Sequence, residues 1–150
     1  MKLYVDGDAF PNILKPILFR AIERLTLPTV VISNKRISIG QSKYITYTIV
    51  SEGPDEADDM IVELIDAGDL AITADIPLAD RIITKKAHAI DHRGELFSEE
   101  NVKYYLSVRN FMQDLRDAGT VTKGPAPFSK KNAEGFANQL NRFLTKHYKA

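Results

Sequence analysis

The chain repeatedly stops a short apolar run on an acid or an amide, and this habit constrains its folding more than any other feature. Leu3-Tyr4-Val5 ends at Asp6-Gly7-Asp8, Thr29-Val30-Val31-Ile32 at Ser33-Asn34, Leu70-Ala71-Ile72-Thr73 at Ala74-Asp75, and Ala87 to Ile90 at Asp91. Runs this short, rich in β-branched residues, read as buried strands. Amphipathic stretches lie between them. After Pro11 the apolar positions Ile13, Leu14, Ile17, Leu18, Ala21, Ile22 and Leu25 recur at helical spacing until Pro28. Further helices are expected at about 55 to 67, stopped by Gly68, and at about 77 to 86. Tyr44 to Val50 is one more strand, and its mixture of Thr and apolar residues suits a sheet edge. Buried strands alternating with helices require an α/β fold with a mainly parallel sheet and helices on both faces. The last third is helical: Ser98 caps a helix from about 99 to 118, and Ser129 caps another to about 147. At 150 residues, a single domain spanning 1–150 is expected.

Charge and cysteine content narrow the function classes. Lys+Arg and Asp+Glu each number 20, so no global basic field points to nucleic acid, and any such contact needs a local patch. The absence of cysteine excludes a disulfide framework and thiolate metal sites, and it fits a reducing compartment. The N-terminus meets charge at Asp6, too early for a signal-peptide core, and no apolar run approaches the ~18 residues of a membrane helix. A cytoplasmic protein with no membrane contact is expected.

In a parallel sheet, ligand-handling residues gather beyond the carboxyl ends of the strands, so Asp6, Asn34, Asp75 and Asp91 share one edge. The helix begun by GPDEADDMIV adds Asp55, Glu56, Asp58 and Asp59. Its apolar stripe is Ala57, Met60, Ile61, Leu64 and Ile65. At about 100° per residue, Asp58 falls on the margin of that stripe and Asp59 points away. Acids in a first helical turn are favoured by the dipole, and Asp is an ordinary strand terminator, so either feature alone is structural. Together they mean more. Converging carboxylates repel and raise their pKa values unless a cation sits among them. Mg²⁺ or Mn²⁺ suits such oxygen donors, giving Asp6, Asp58 and Asp75 as metal ligands. Asp8, the second acid of Asp6-Gly7-Asp8, is a catalytic candidate on a phosphatase reading.

The blocks VDGDAFPN, GPDEADDMIV, TADIPLADR, DHRGELF, RNFMQDLR and GPAPFSKKN together resemble the YaiI/YqxD family of small bacterial proteins, related to PIN-like nuclease domains. The likeness runs over nearly the whole chain. It implies a PIN-like α/β fold with an acidic, metal-binding pocket, and it brings no assigned reaction. By this resemblance, the acid after the first strand corresponds to Asp6. The acids of the middle helix correspond to Asp55 or Asp58, which makes Asp55 a further catalytic candidate, and the acid after the following strand corresponds to Asp75. Phe10 stands where many relatives carry Cys, so no thiol takes part here. PIN nucleases often place another acid just after the equivalent of Asp75, whereas the next acid here is Asp80, a helical turn on.

Cations are needed to hold a phosphate backbone near carboxylates. Lys35 and Arg36 follow the second strand, Arg93 follows the strand at 87–90, and Arg109 and Arg116 share a helix face. Lys130 and Lys131 open the last helix, after the Pro/Gly loop TVTKGPAPF with Pro125 and Pro127. Lys35, Arg93, Arg109 and Lys130 are the candidates for substrate phosphate. No aromatic residue interleaves them as in a stacking platform. His88 reads as a core residue, His147 as solvated, and His92, in the turn Asp91-His92-Arg93-Gly94, as structural. The leading functional expectation is a Mg/Mn-dependent phosphodiesterase acting on RNA or single-stranded nucleic acid. A haloacid-dehalogenase-type phosphatase using Asp6 and Asp8 is the alternative, although Phe10 replaces its usual Thr or Val. A binding module that keeps the pocket without turnover is the third.

Overall fold

A computed structural model describes residues 1–120 and 127–148. Five strands, β1 (Leu3–Asp6), β2 (Thr29–Ser33), β3 (Ile45–Ile49), β4 (Leu70–Ile72) and β5 (His88–Ile90), form one sheet in the order β3-β2-β1-β4-β5, and every pairing is parallel. The fold is α/β with helices on both faces. β3 lies at an edge, as its half-polar sequence requires: Ile45 is buried, and Thr46, Tyr47 and Ile49 are exposed.

The helices are α1 (Lys15–Leu25), α2 (Glu56–Leu64), α3 (Ile76–Thr84), α4 (Glu99–Asp117) and α5 (Lys130–His147). Successive strand residues point to opposite faces, and each face has its own core. On one side Leu3, Val5, Val31, Leu70, Ile72 and Ile90 meet Leu18 and Ile22 of α1 and Phe136, Leu140 and Phe143 of α5. On the other, Tyr4, Ile32, Ala71 and Ala89 meet Ile61 of α2, Leu78 and Ile82 of α3 and Val102 of α4. Both Ser98 and Ser129 accept from the backbone N–H three residues on, and the Asn at that position returns the bond, so α4 and α5 each open on a capping box.

Two boundaries differ from the sequence reading. The helix after Pro11 begins as a 3₁₀ turn over Asn12–Leu14, and α1 proper starts at Lys15. That start places Pro16 in the first turn, where its missing N–H breaks no helical bond. α2 stops at Leu64, short of Gly68, because Ile65 turns extended and is fully buried. The Lys85 ammonium donates to the Val62 and Ile65 carbonyls at 2.6 and 2.5 Å, and so satisfies the open end of α2. Among the described residues, no helix is long and apolar enough to cross a membrane.

Candidate functional site

The chain runs from β1 outward to β2 and β3, then returns to the other side of β1 as β4 and β5. At such a reversal the connections leaving the two central strands part, and the crevice between them is where open α/β sheets bind ligands. Asp6 is the last residue of β1, and Asp75 caps α3 just beyond β4. A cavity of about 420 Å³ opens there, lined by Asp6, Asp8, Ala9, Asn34, Gly53, Pro54, Ala57, Asp58, Ala74, Asp75 and His92.

Thr73 ties the two strand-end acids together. Its hydroxyl donates to Asp6 Oδ2 at 2.9 Å and accepts from the Asp75 N–H at 3.0 Å. Asp75 Oδ1 accepts in turn from Leu78 N at 3.1 Å as the α3 cap. Asp6 is only 8% exposed. Burial pushes its pKa up to about 6, against the opposing hydrogen bonds from Thr73 and the Asp8 backbone, and the charges of Asp8 and Asp75 push the same way as burial. Asp58, half-buried on α2, is pushed up to about 7, first by burial and then by the charges of Asp75, Asp6 and Asp55. The nearby Asp75 carboxyl pushes it the same way. Carboxyls from β1, α2 and the β4–α3 junction therefore line one cavity, where burial and mutual repulsion disfavour the charged forms of Asp6 and Asp58.

Two buried polar atoms add to this. Among the described residues, the buried side-chain polar atoms lacking a partner are Asn34 Oδ1 and His92 Nε2, and both residues line the cavity. Unpaired buried polar groups are rare and call for a reason. The His92 turn is held firmly. Asp91 Oδ1 accepts from Arg93 N at 2.9 Å and Glu95 N at 2.8 Å. Gly94, at φ 94°, leaves no room for a side chain, since a Cβ there would lie 2.3 Å from the Gly135 carbonyl of α5. The Phe10 ring meets the His92 ring edge-on at 5.4 Å. Burial lowers the His92 pKa, which keeps the imidazole neutral. From the sequence it read as a structural residue of a turn at this edge, and the close packing of that turn on α5 accompanies its place in the cavity wall.

Asp8 lines the cavity with its Oδ1 accepting from Asn34 N at 3.0 Å. Asp55 is exposed at the α2 N-cap, outside the lining, and acts on the cavity only through its charge on Asp58. Asp59 points to solvent and pairs with Arg81 at 2.9 Å. Asp80 is held by Lys103 of α4 at 3.1 Å, so it is not a further wall of this cavity. Among the described residues, no three Asp, Glu or His side chains stand close enough together to hold an ion as they are.

The basic candidates separate. Lys35 and Arg36, with Lys15 of α1, line a second cavity of about 310 Å³ that shares Asp8, Ala9 and Asn34 with the acidic one. Arg93 borders a different hollow with Asp91 and Glu95, and its guanidinium lies over the Phe128 ring at 5.8 Å. Lys130 lines a groove between α1 and α5 beside Ile13 and Ile17. Arg109 and Arg116 are exposed on α4 and line neither the acidic cavity nor its basic neighbour. Pro125 lies outside the described residues. His88 is half-buried rather than core, beside Phe143, and the exposed His147 ring stacks on Phe143 at 4.3 Å.

A family model described as "Uncharacterized BCR, YaiI/YqxD family" matches residues 4–146. The chain belongs to the YaiI/YqxD family. Relatives carry the name UPF0178 protein. One from Sulfurimonas denitrificans is 63% identical over 147 residues, covering 98% of this chain and 97% of the relative. Another from a Sulfurovum species is 61% identical over 147 residues, covering 98% and 99%. A third, from a Shewanella woodyi strain, is 46% identical and covers 99% of both chains. No solved structure matches the chain. These YaiI/YqxD relatives are similar over their full lengths, and their names state no reaction.

Proposed function

We propose that this YaiI/YqxD protein is a divalent-cation-dependent phosphodiesterase acting on RNA or other single-stranded nucleic acid. The observation that carries the reading is the meeting of Asp6, Asp58 and Asp75 in one cavity at the sheet's reversal point, with two of the three carboxyls pushed up to about 6 and about 7. Natural folds retain such an arrangement where it serves a ligand, because as a structural element it only destabilises. The donors suit Mg²⁺ or Mn²⁺ in kind, being carboxylate oxygens in a cavity open to water. The raised pKa values of Asp6 and Asp58 mean that protons compete with an ion for these oxygens. Asp6, Asp58 and Asp75 would hold the ion. A bound divalent ion supplies a water nucleophile at neutral pH and neutralises charge on the reacting phosphate.

The chain's own residues do the rest. Thr73 fixes the Asp6 carboxylate and the Asp75 backbone relative to each other. Asp8, Ala9 and Asn34 form a wall common to the acidic cavity and its basic neighbour. Ala9 adopts a left-handed φ of 61°, which is unfavourable for alanine and recurs at functional turns. Phosphate approaching the acids passes cations at Lys35 and Arg36. Cleavage of a single-stranded RNA oligonucleotide by metal-free protein, with and without added Mn²⁺ or Mg²⁺, tests the reading. Ion-dependent cutting lost in Asp6→Asn is expected. Hydrolysis of a phosphomonoester with phosphate trapped on Asp6 would instead indicate haloacid-dehalogenase chemistry.

A further inference from the structure

The cavity beside the acids has the opposite character. Lys15, Lys35 and Arg36 line it, and among the described residues none of the three forms an ion pair with a carboxylate. Lys15 is also the first residue of α1, a helix of 11 residues with no acid in its first turn and no side-chain cap. The 3₁₀ turn Asn12–Leu14 runs directly into that helix, and the Lys15 N–H is bonded to the Asn12 carbonyl, so the Lys15 side chain is what this end of α1 brings to the cavity. Arg81, Lys86 and Lys103 each meet an acid at 2.9 to 3.1 Å, whereas Lys15, Lys35 and Arg36 are set apart by lining one cavity together. This cavity of about 310 Å³, lined by three cations and the single acid Asp8, shares a wall with the acidic one, so an anion could reach from one to the other.

We propose that this cavity is a second phosphate subsite, so that the preferred substrate is a chain carrying a phosphate next to the scissile one, not an isolated phosphodiester. The proposal rests on the phosphodiesterase reading, since it assigns the acidic cavity to the scissile phosphate. Successive phosphates of a nucleic-acid strand are joined by a single sugar, so adjoining cavities that share Asp8, Ala9 and Asn34 can take neighbouring phosphates. Lys and Arg suit the role differently. Lys15 and Lys35 act as point charges, while the Arg36 guanidinium can grip a phosphate with paired donors. The carboxylates next door would repel every phosphate of the strand, and these three cations offset that repulsion where it is strongest. Mononucleotides and single phosphodiesters would forgo the contact and bind weakly.

Three dinucleotides separate the possibilities: UpU, with one phosphodiester, and pUpU and UpUp, each with one further phosphate. Their dissociation constants are measured by NMR titration in divalent-free buffer. Either pUpU or UpUp is expected to bind about tenfold tighter than UpU to the wild-type chain, a difference of about 1.4 kcal/mol. The favoured one also reveals the polarity of the strand. The advantage should vanish in Lys15→Ala/Lys35→Ala/Arg36→Ala. It should shrink in Lys35→Ala/Arg36→Ala, which alters only exposed side chains and leaves the core intact. Equal binding of all three dinucleotides to the wild type overturns the subsite, as does an advantage that survives the triple substitution. Mn²⁺-induced stabilisation of the wild type, measured separately, tests the cation reading. Its absence would sink that reading while the dinucleotide comparison still decided whether the basic cavity holds phosphate.

Discussion

The Thr73 hydroxyl donates to Asp6 Oδ2 at 2.9 Å, a buried bond that joins the end of β4 to the end of β1. Among the described residues it is the one side-chain hydrogen bond that favours the ionised form of Asp6 against its burial. Thr73→Val keeps the shape and removes the donor. Asp6 should then titrate above its present value of about 6, and the fold should lose roughly 1–3 kcal/mol at pH 8, where the carboxylate is left unsatisfied. A ¹³C titration of the Asp6 carboxyl and a denaturant melt read both effects. An unmoved titration would remove Thr73 from the site.

The raised carboxyls set the pH dependence. Asp6 is pushed up to about 6 and Asp58 to about 7, from 3.8. Between the unfolded and folded values the folded chain binds more protons than the unfolded one, so stability falls as pH rises. Their contribution is complete below about pH 4 and is lost as pH passes 6 and then 7. For buried Asp6 the shift corresponds to roughly 3 kcal/mol. Without divalent ions, the melting temperature should fall from pH 5 to pH 8, and Asp6→Asn should be the more stable protein at pH 8. A wild type that outlasts Asp6→Asn there would mean that the charge is already compensated.

How much of this was legible beforehand follows from where the information sits. The sheet, its five strands and the edge position of β3 come from local apolar patterning, which tertiary packing here only reinforces. Strand ends announce the acids, because Asp6 and Asp75 stop apolar runs whose parallel direction is implied by the helices between them. The margin position of Asp58 follows from helical periodicity alone. The place of His92 in the cavity wall was not legible, since its turn packs on α5 through the Gly94–Gly135 contact between residues far apart in the chain. Nor was the parting of the cations: Lys35 shares a wall with the acids, while Lys130 faces the groove between α1 and α5. Side-chain direction on a surface is set by tertiary neighbours that sequence spacing does not record.

A cation bound only by the folded state stabilises it, by about 2.7 kcal/mol at a hundredfold excess over its dissociation constant. Mn²⁺ should therefore raise the melting temperature, and more at pH 8 than at pH 6, because protonated Asp6 and Asp58 compete with the ion. Asp58→Asn should remove most of the gain, whereas Lys130→Ala should leave it unchanged. A gain indifferent to pH would place the ion away from these acids.

His92 leaves Nε2 buried and without a partner beside the Phe10 ring. If packing alone retained it, His92→Phe would lose nothing and would relieve an unsatisfied polar atom. The expected result is a melting temperature at or above that of the wild type, with ion-dependent RNA cleavage at least tenfold lower, about 1.4 kcal/mol in the barrier. Full activity in a stable His92→Phe protein would return the residue to a packing role.

Everything proposed for catalysis depends on a cation between Asp6, Asp58 and Asp75. Crystals of the protein soaked in Mn²⁺ at pH 8, with diffraction data collected at a wavelength where manganese scatters anomalously, locate that ion directly. An anomalous peak within coordination distance of all three carboxylates is expected, absent from crystals of Asp6→Asn treated in the same way. A fully occupied peak elsewhere on the chain, or none at millimolar Mn²⁺, would contradict a metal centre at this cavity.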